Sequence, residues 1–184
     1  YAGGMVYPGS RPACKVDVAR AVDWFNVMLA SSDVKLKLNT EVTPEMVKKE
    51  APDALVVAIG AEAIKPDWPG MDKSHVQYAV EVLRDVTKFK GKKAVVVGGG
   101  DVGCETACHL TDNGWEVTIV EILPRLLEEN IMKNVKCQMF NLIEEKGIKV
   151  MTETRVNAII DEGVEVKVLE VMNTNILVER KVKE

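Results

Sequence analysis

The sequence predicts an α/β chain built on a parallel sheet, with an antiparallel β-meander following it. Two observations carry this. From Lys93 onward, short apolar runs alternate with amphipathic helical stretches, the order that βαβ units produce. After Arg155 the helical period disappears, and three alternating segments follow one another across turn-forming residues.

The first seventy residues read as an α/β fragment. Val16, Ala19, Val22, Trp24, Phe25, Met28 and Leu29 recur near helical period and predict a helix over Val16–Leu29. Val34, Leu36 and Leu38 alternate with Lys35, Lys37 and Asn39, the pattern of a half-buried strand. Thr43 is a candidate N-cap with Pro44 in the first helical position, and that helix must end before Pro52. Ala54–Ile59 is apolar throughout and reads as a strand covered on both faces, closed by Gly60. Pro66, Pro69 and Gly70 break all periodicity within 61–73. A boundary there divides the chain into units 1–73 and 74–184.

In the second unit a bridging helix over 76–85 leads to a basic stretch, Lys88–Lys93. A strand at Ala94–Val97, a helix at Asp101–Asn113 closed by Gly114, and a strand at Val117–Val120 follow in order. A long amphipathic helix is expected from Leu126 to Lys146, with its methionines in the core. Gly147 would cap it ahead of a strand at Ile148–Met151. Val156–Ile160, Val164–Leu169 and Ile176–Val182 would form the meander.

The strand–helix junction carries the chemistry. A lone G-x-G-x-x-G is a weak signal, but Gly98-Gly99-Gly100-Asp101-Val102-Gly103 stands directly between a strand and a helix. Gly98 permits the tight turn, Gly100 lets a diphosphate approach the backbone, and Gly103 lets helix and strand pack closely. The helix N-terminus adds free N–H groups and partial positive charge. Glu121 ends the next strand, placed to accept hydrogen bonds from a ribose and to repel a 2′-phosphate, which favours NAD(H) over NADP(H). Arg125 nearby is a candidate to hold a phosphate or to stack on adenine.

Other residues suggest less. Glu105 complements the helix dipole. Cys104 and Cys108 are i,i+4 neighbours that read as small buried hydrophobes, and His75 and His109 have surface or packing roles. The cysteines at 14, 104, 108 and 137 suit neither a disulfide framework nor a metal site, so reduced thiols and a cytoplasmic location are expected. A net charge of −4 argues against nucleic acid as a partner, and no apolar run approaches the roughly 18 residues that a membrane span requires.

Val95–Glu105 together with Val117–Glu121 resembles the NAD domain of flavoproteins with two dinucleotide-binding domains. The stretches Leu38–Glu45 and Pro52–Ala61, with the pair Gly3-Gly4, are similar to the FAD-domain segments of NADH:flavin oxidoreductases of the 2-enoate reductase and 2,4-dienoyl-CoA reductase type. The resemblance implies a Rossmann-like NAD(H)-binding domain preceded by part of an FAD-binding domain, with Gly60 among the cofactor-binding residues. It also implies a parent enzyme passing electrons from NADH to FAD, then through an iron–sulfur cluster and FMN to an activated C=C bond. That group's first glycine motif, its late Gly-Asp motif, its FMN barrel and its cluster cysteines have no counterpart in these 184 residues. The expectation is therefore a piece of a larger enzyme. It would bind NADH, lose FAD, and take the missing barrel and FAD-domain segments as its partners. Two other readings stay open: another member of the wider superfamily, such as a ferredoxin or disulfide reductase, and a non-catalytic NAD or ADP sensor.

Overall fold

The computed structural model describes residues 2–128, 132–171 and 177–183. A short helix α1 (Val6–Gly9) leads through a 3-10 turn at Ala13–Lys15 into α2 (Val16–Ala30). Asn26 of α2 holds the chain's start: its side-chain amide donates to the Ala2 carbonyl at 2.7 Å and accepts from the Ala2 N–H at 2.9 Å. Helix α3 (Pro44–Glu50) begins as its sequence predicts, with the Thr43 hydroxyl accepting the Met46 N–H at 3.3 Å. Ala51 then turns left-handed at φ 43° ahead of Pro52.

Neither expected strand of this first unit forms. Residues 34–38 and 54–59 form no regular element and join neither of the two sheets, and Val56 and Ile59 are 84% and 93% exposed. A strand is held by ladder hydrogen bonds to a neighbour, and alternation along the sequence specifies only which face would be covered. Among the described residues no strand edge lies against either run. Helix α2 forms, yet Trp24, Phe25 and Met28 remain exposed and only Val22 is buried.

The second unit is well packed. Helix α4 (Ala79–Arg84) and a 3-10 turn at Val86–Lys88 precede β1 (Lys93–Val97), α5 (Asp101–Asp112) and β2 (Glu116–Val120). Helix α6 (Lys133–Glu145) and β3 (Lys149–Met151) complete a parallel sheet in the order β1-β2-β3. Strands β4 (Thr154–Ile160), β5 (Gly163–Val171) and β6 (Leu177–Lys183) form an antiparallel sheet in sequence order. The expected strand start at Ile176 and the turn at 173–175 lie outside the described residues.

The two faces of β2 pack into two different cores. Val117 and Ile119 join Cys104, Ala107 and Cys108 of α5 and Met139 and Ile143 of α6 in one core. Val120 turns the other way and packs with Val156, Ile159, Val164 and Val166 of the antiparallel sheet. Trp68, Met71 and Val76 extend this second core, and the Ile159 N–H donates to the Pro69 carbonyl at 2.8 Å. The parallel sheet is thus covered by helices on one face and by β-structure on the other.

Helix α6 is shorter than its periodicity suggests. It begins at Lys133 rather than Leu126; Leu126 and Leu127 instead form a buried turn, with Leu127 at φ 57°. Residues 129–131 of the expected helix lie outside the described residues. Of its two methionines, Met139 is core, whereas Met132 sits just before the helix and is 70% exposed.

Candidate functional site

The site is assembled at the carboxyl ends of β1 and β2, where ligands bind in open α/β sheets. The Gly98 N–H continues the parallel ladder by donating to the Val120 carbonyl at 2.8 Å. Gly98 then adopts φ 104°, a conformation that side chains disfavour, and turns the chain. Gly100 is extended (φ −74°, ψ −172°) and serves as N-cap of α5 without any side-chain acceptor. The required positive φ is therefore at Gly98 and not at Gly100. Gly103 lies so close to the turn that an added Cβ would stand 1.9 Å from the Gly98 carbonyl oxygen.

The first turn of α5 carries Asp101, Val102 and Gly103. Asp101 has one carboxylate oxygen buried without a hydrogen-bond partner, and Val102 is 56% exposed. Glu105 is buried and ion-paired with Lys15 from the N-terminal segment. Burial raises its carboxyl above the ordinary range, and Lys15 opposes the shift.

Glu121 faces the turn. One carboxylate oxygen accepts the Gly99 N–H at 2.6 Å and the other accepts the Leu123 N–H at 2.8 Å. Its backbone is fixed as well, by bonds to Met151 and Thr154. The structure thus brings Gly98, Gly99, Gly100, Asp101, Val102, Gly103 and Glu121 together at the carboxyl edge of the sheet. Arg125 is exposed in the loop after β2, outside the lining of the cleft beside Glu121. Gly60 (φ 76°) sits in the exposed 54–64 stretch with open space around it.

Beside Glu121 a cleft of about 480 Å³ opens, lined by Trp68, Gly98, Glu121, Thr154 and Arg155 among others. Sequence reasoning missed Trp68, Thr154 and Arg155. A lone tryptophan between Pro66 and Pro69 was the available signal for the first. The other two reach the cleft only because the antiparallel sheet folds onto the parallel one. Another cleft, of about 430 Å³, lies at the opposite end of β1 beside Lys90, Lys92 and Trp115, away from the glycine turn.

The two thiols of α5 are buried and stay protonated near neutral pH. Burial pushes Cys104 up to about 12 and Cys108 up to about 11, far above neutral pH. His109 is buried and its pKa lowered, chiefly by burial. Among the described residues no group of three or more His, Cys, Asp or Glu side chains could hold a metal ion. No helix among them is long and apolar enough to cross a membrane.

Known proteins are similar to this chain in sequence and in fold. Cinnamate reductase of Clostridium sporogenes is 33% identical over 177 residues, which is 95% of this chain and 25% of the reductase. Bilirubin reductase of Mediterraneibacter gnavus is 33% identical over 163 residues, 89% of this chain and again 25% of the relative. The solved structure of a 2-naphthoyl-CoA reductase in complex with 2-naphthoyl-CoA superposes with a TM-score of 0.79 at 33% identity, covering 89% of this chain and 24% of that one. The chain spans about a quarter of the length of these relatives. A match over residues 12–182 fixes the assignment: the chain belongs to the pyridine nucleotide-disulphide oxidoreductase family.

Proposed function

We propose that this chain is the NADH-docking portion of a flavin-dependent oxidoreductase, with 1–73 on the flavin side and 74–184 holding the nucleotide. One observation carries the reading: the N-terminus of α5, without a side-chain cap, follows a turn in which Gly98 takes a positive φ and Gly99 and Gly103 leave no room for a Cβ, and Glu121 stands against that turn. The N–H groups at the start of α5 suit a diphosphate. Glu121 uses one acceptor position on each oxygen, so its carboxylate retains capacity for ribose hydroxyl donors. The same negative charge opposes a 2′-phosphate. Arg155, which lines the cleft with Glu121, is better placed toward a nucleotide than Arg125.

NADH, when bound, supplies a hydride to the flavin. The flavin would be met on the side of residues 1–73, whose 34–38 and 54–59 runs join neither sheet among the described residues. For the longer protein we infer onward transfer to an activated C=C bond, a reading supported by the similarity to a cinnamate reductase and a 2-naphthoyl-CoA reductase. The iron–sulfur cluster and FMN of that scheme ask for ligands outside this chain. A cytoplasmic setting fits four cysteines that form no disulfide.

Calorimetric titration of the 184-residue chain with NADH tests the docking. Saturable binding that Gly100→Val abolishes in a folded chain is the expected result. An absence of binding by the folded wild type would overturn the reading. Hydride transfer to FAD, measured with the longer protein, separates an enzyme from a nucleotide sensor.

A further inference from the structure

Gly99 is gripped at both of its backbone groups by the loop that follows β2. Its N–H donates to Glu121 at 2.6 Å and its carbonyl accepts the Leu127 N–H at 2.9 Å. The grip is close: a Cβ at Gly99 would lie 2.3 Å from Leu126 Cδ2 and 3.2 Å from Glu121 Cβ. Glu121 is itself immobilised, being 8% exposed and fixed through its second oxygen by Leu123. A carboxylate–N–H bond is charge-assisted and about twice as strong as a neutral one. The position of the turn is therefore set by the residue beside it as much as by its own glycines.

The geometry points to Glu121 as a positioning residue for the phosphate-binding turn, acting through the Gly99 N–H, in addition to its facing the ribose. This rests on the dinucleotide reading and deepens it. One carboxylate then couples the two halves of the adenosine diphosphate site. A substitution there loosens the donors to the diphosphate even for a ligand with no ribose hydroxyl to offer.

The experiment has two arms, run on the whole chain with Glu121→Ala and Glu121→Gln; glutamine keeps one acceptor oxygen and guards against loss of the fold. In the first, amide hydrogen exchange is followed by NMR. Protection of Gly99 is expected to fall roughly tenfold or more in Glu121→Ala, the scale of one charge-assisted bond. Glutamine should restore part of it, and the ladder amides of Ile119 and Val120 should not change. In the second, the dissociation constants of NADH and of an NADH analogue lacking both adenosine ribose hydroxyls are compared. A residue that only reads ribose leaves the analogue's affinity unchanged in the variant; a positioning residue weakens it by at least about threefold. Unchanged Gly99 protection overturns the proposal, and so does lost protection with unchanged analogue affinity. A wild-type chain that binds neither nucleotide sinks the docking reading instead, while Gly99 exchange still decides whether Glu121 holds the turn.

Discussion

Lys15, in the turn before α2, is ion-paired with Glu105 on the second turn of α5, joining the N-terminal segment to the helix that follows the glycine turn. The Glu105 side chain is only 7% exposed and that of Lys15 is 36% exposed. Removing the lysine leaves a buried carboxylate without its cation. Fully buried pairs lose about 3–5 kcal/mol in this way, so a half-open one should lose about 1–2 kcal/mol. The sign with pH follows from Glu105, whose folded carboxyl is already raised above 4.5 by burial. Without Lys15 it rises further, so the penalty is complete only where the folded carboxylate is ionised and shrinks as acid protonates it. Urea unfolding of Lys15→Met should show a larger loss at pH 7.5 than at pH 5. A loss equal at both would mean that the pair does not set the effect.

Glu121→Ser should move the ratio of NADPH to NADH dissociation constants toward NADPH. The serine removes the charge opposing a 2′-phosphate and shortens the acceptor. One decade, about 1.4 kcal/mol, is the expected scale. The ratio is measured by titration at one low salt concentration, because salt screens the charge term. A ratio that stays put would reduce Glu121 to a brace of the turn.

Gly103→Ala should destabilise the chain by about 1–3 kcal/mol, because α5 must shift away from the Gly98 carbonyl to admit a methyl group. NADH affinity should fall with it, since the same shift moves the helix N-terminus. Gly9→Ala is the control: an added Cβ there meets nothing within 4 Å, and a change within about 0.5 kcal/mol is expected. Equal denaturation midpoints for the two variants would show that α5 absorbs the contact freely.

His109 gives a pH signature of opposite origin. Burial lowers its folded pKa below 6.5, so as pH falls below that value the unfolded chain takes up the proton first and stability is lost. Glu105 titrates at acidic pH too, which makes the single-variant curve ambiguous. The difference between wild type and His109→Gln at each pH isolates the histidine. That difference should change in favour of the variant between pH 7.5 and pH 5.5; a constant difference would place His109 in solvent.

The parts of this fold that local sequence determines were legible in it. Strand β1, the glycine turn, α5, β2 and the Gly147 cap stand where period and turn chemistry put them, because each is decided within a dozen residues. The errors fall where a distant partner decides. Residues 34–38 and 54–59 have strand composition but no edge to pair with among the described residues. Leu126 and Leu127 keep helical spacing, yet burial beneath Gly99 draws them into a turn before α6 begins. At the candidate site, the proximity of the glycines and Glu121 was legible because a turn and a strand end fix their geometry. Thr154 and Arg155 could not, since only the packing of the antiparallel sheet on the parallel one delivers them to the cleft.

The bare run Ala54-Leu55-Val56-Val57-Ala58-Ile59 governs how the chain behaves in company. It is uncharged, free of proline, rich in β-branched residues, and outside both sheets. Such a segment is a template on which strands of other molecules can add in a cross-β stack. Pro52 and Asp53 on one side, and Lys65 and Pro66 on the other, are gatekeepers that interrupt the growth of such a stack. Pairing this run with a strand edge that covers Val56 and Ile59, 84% and 93% exposed here, would convert an aggregation seed into core.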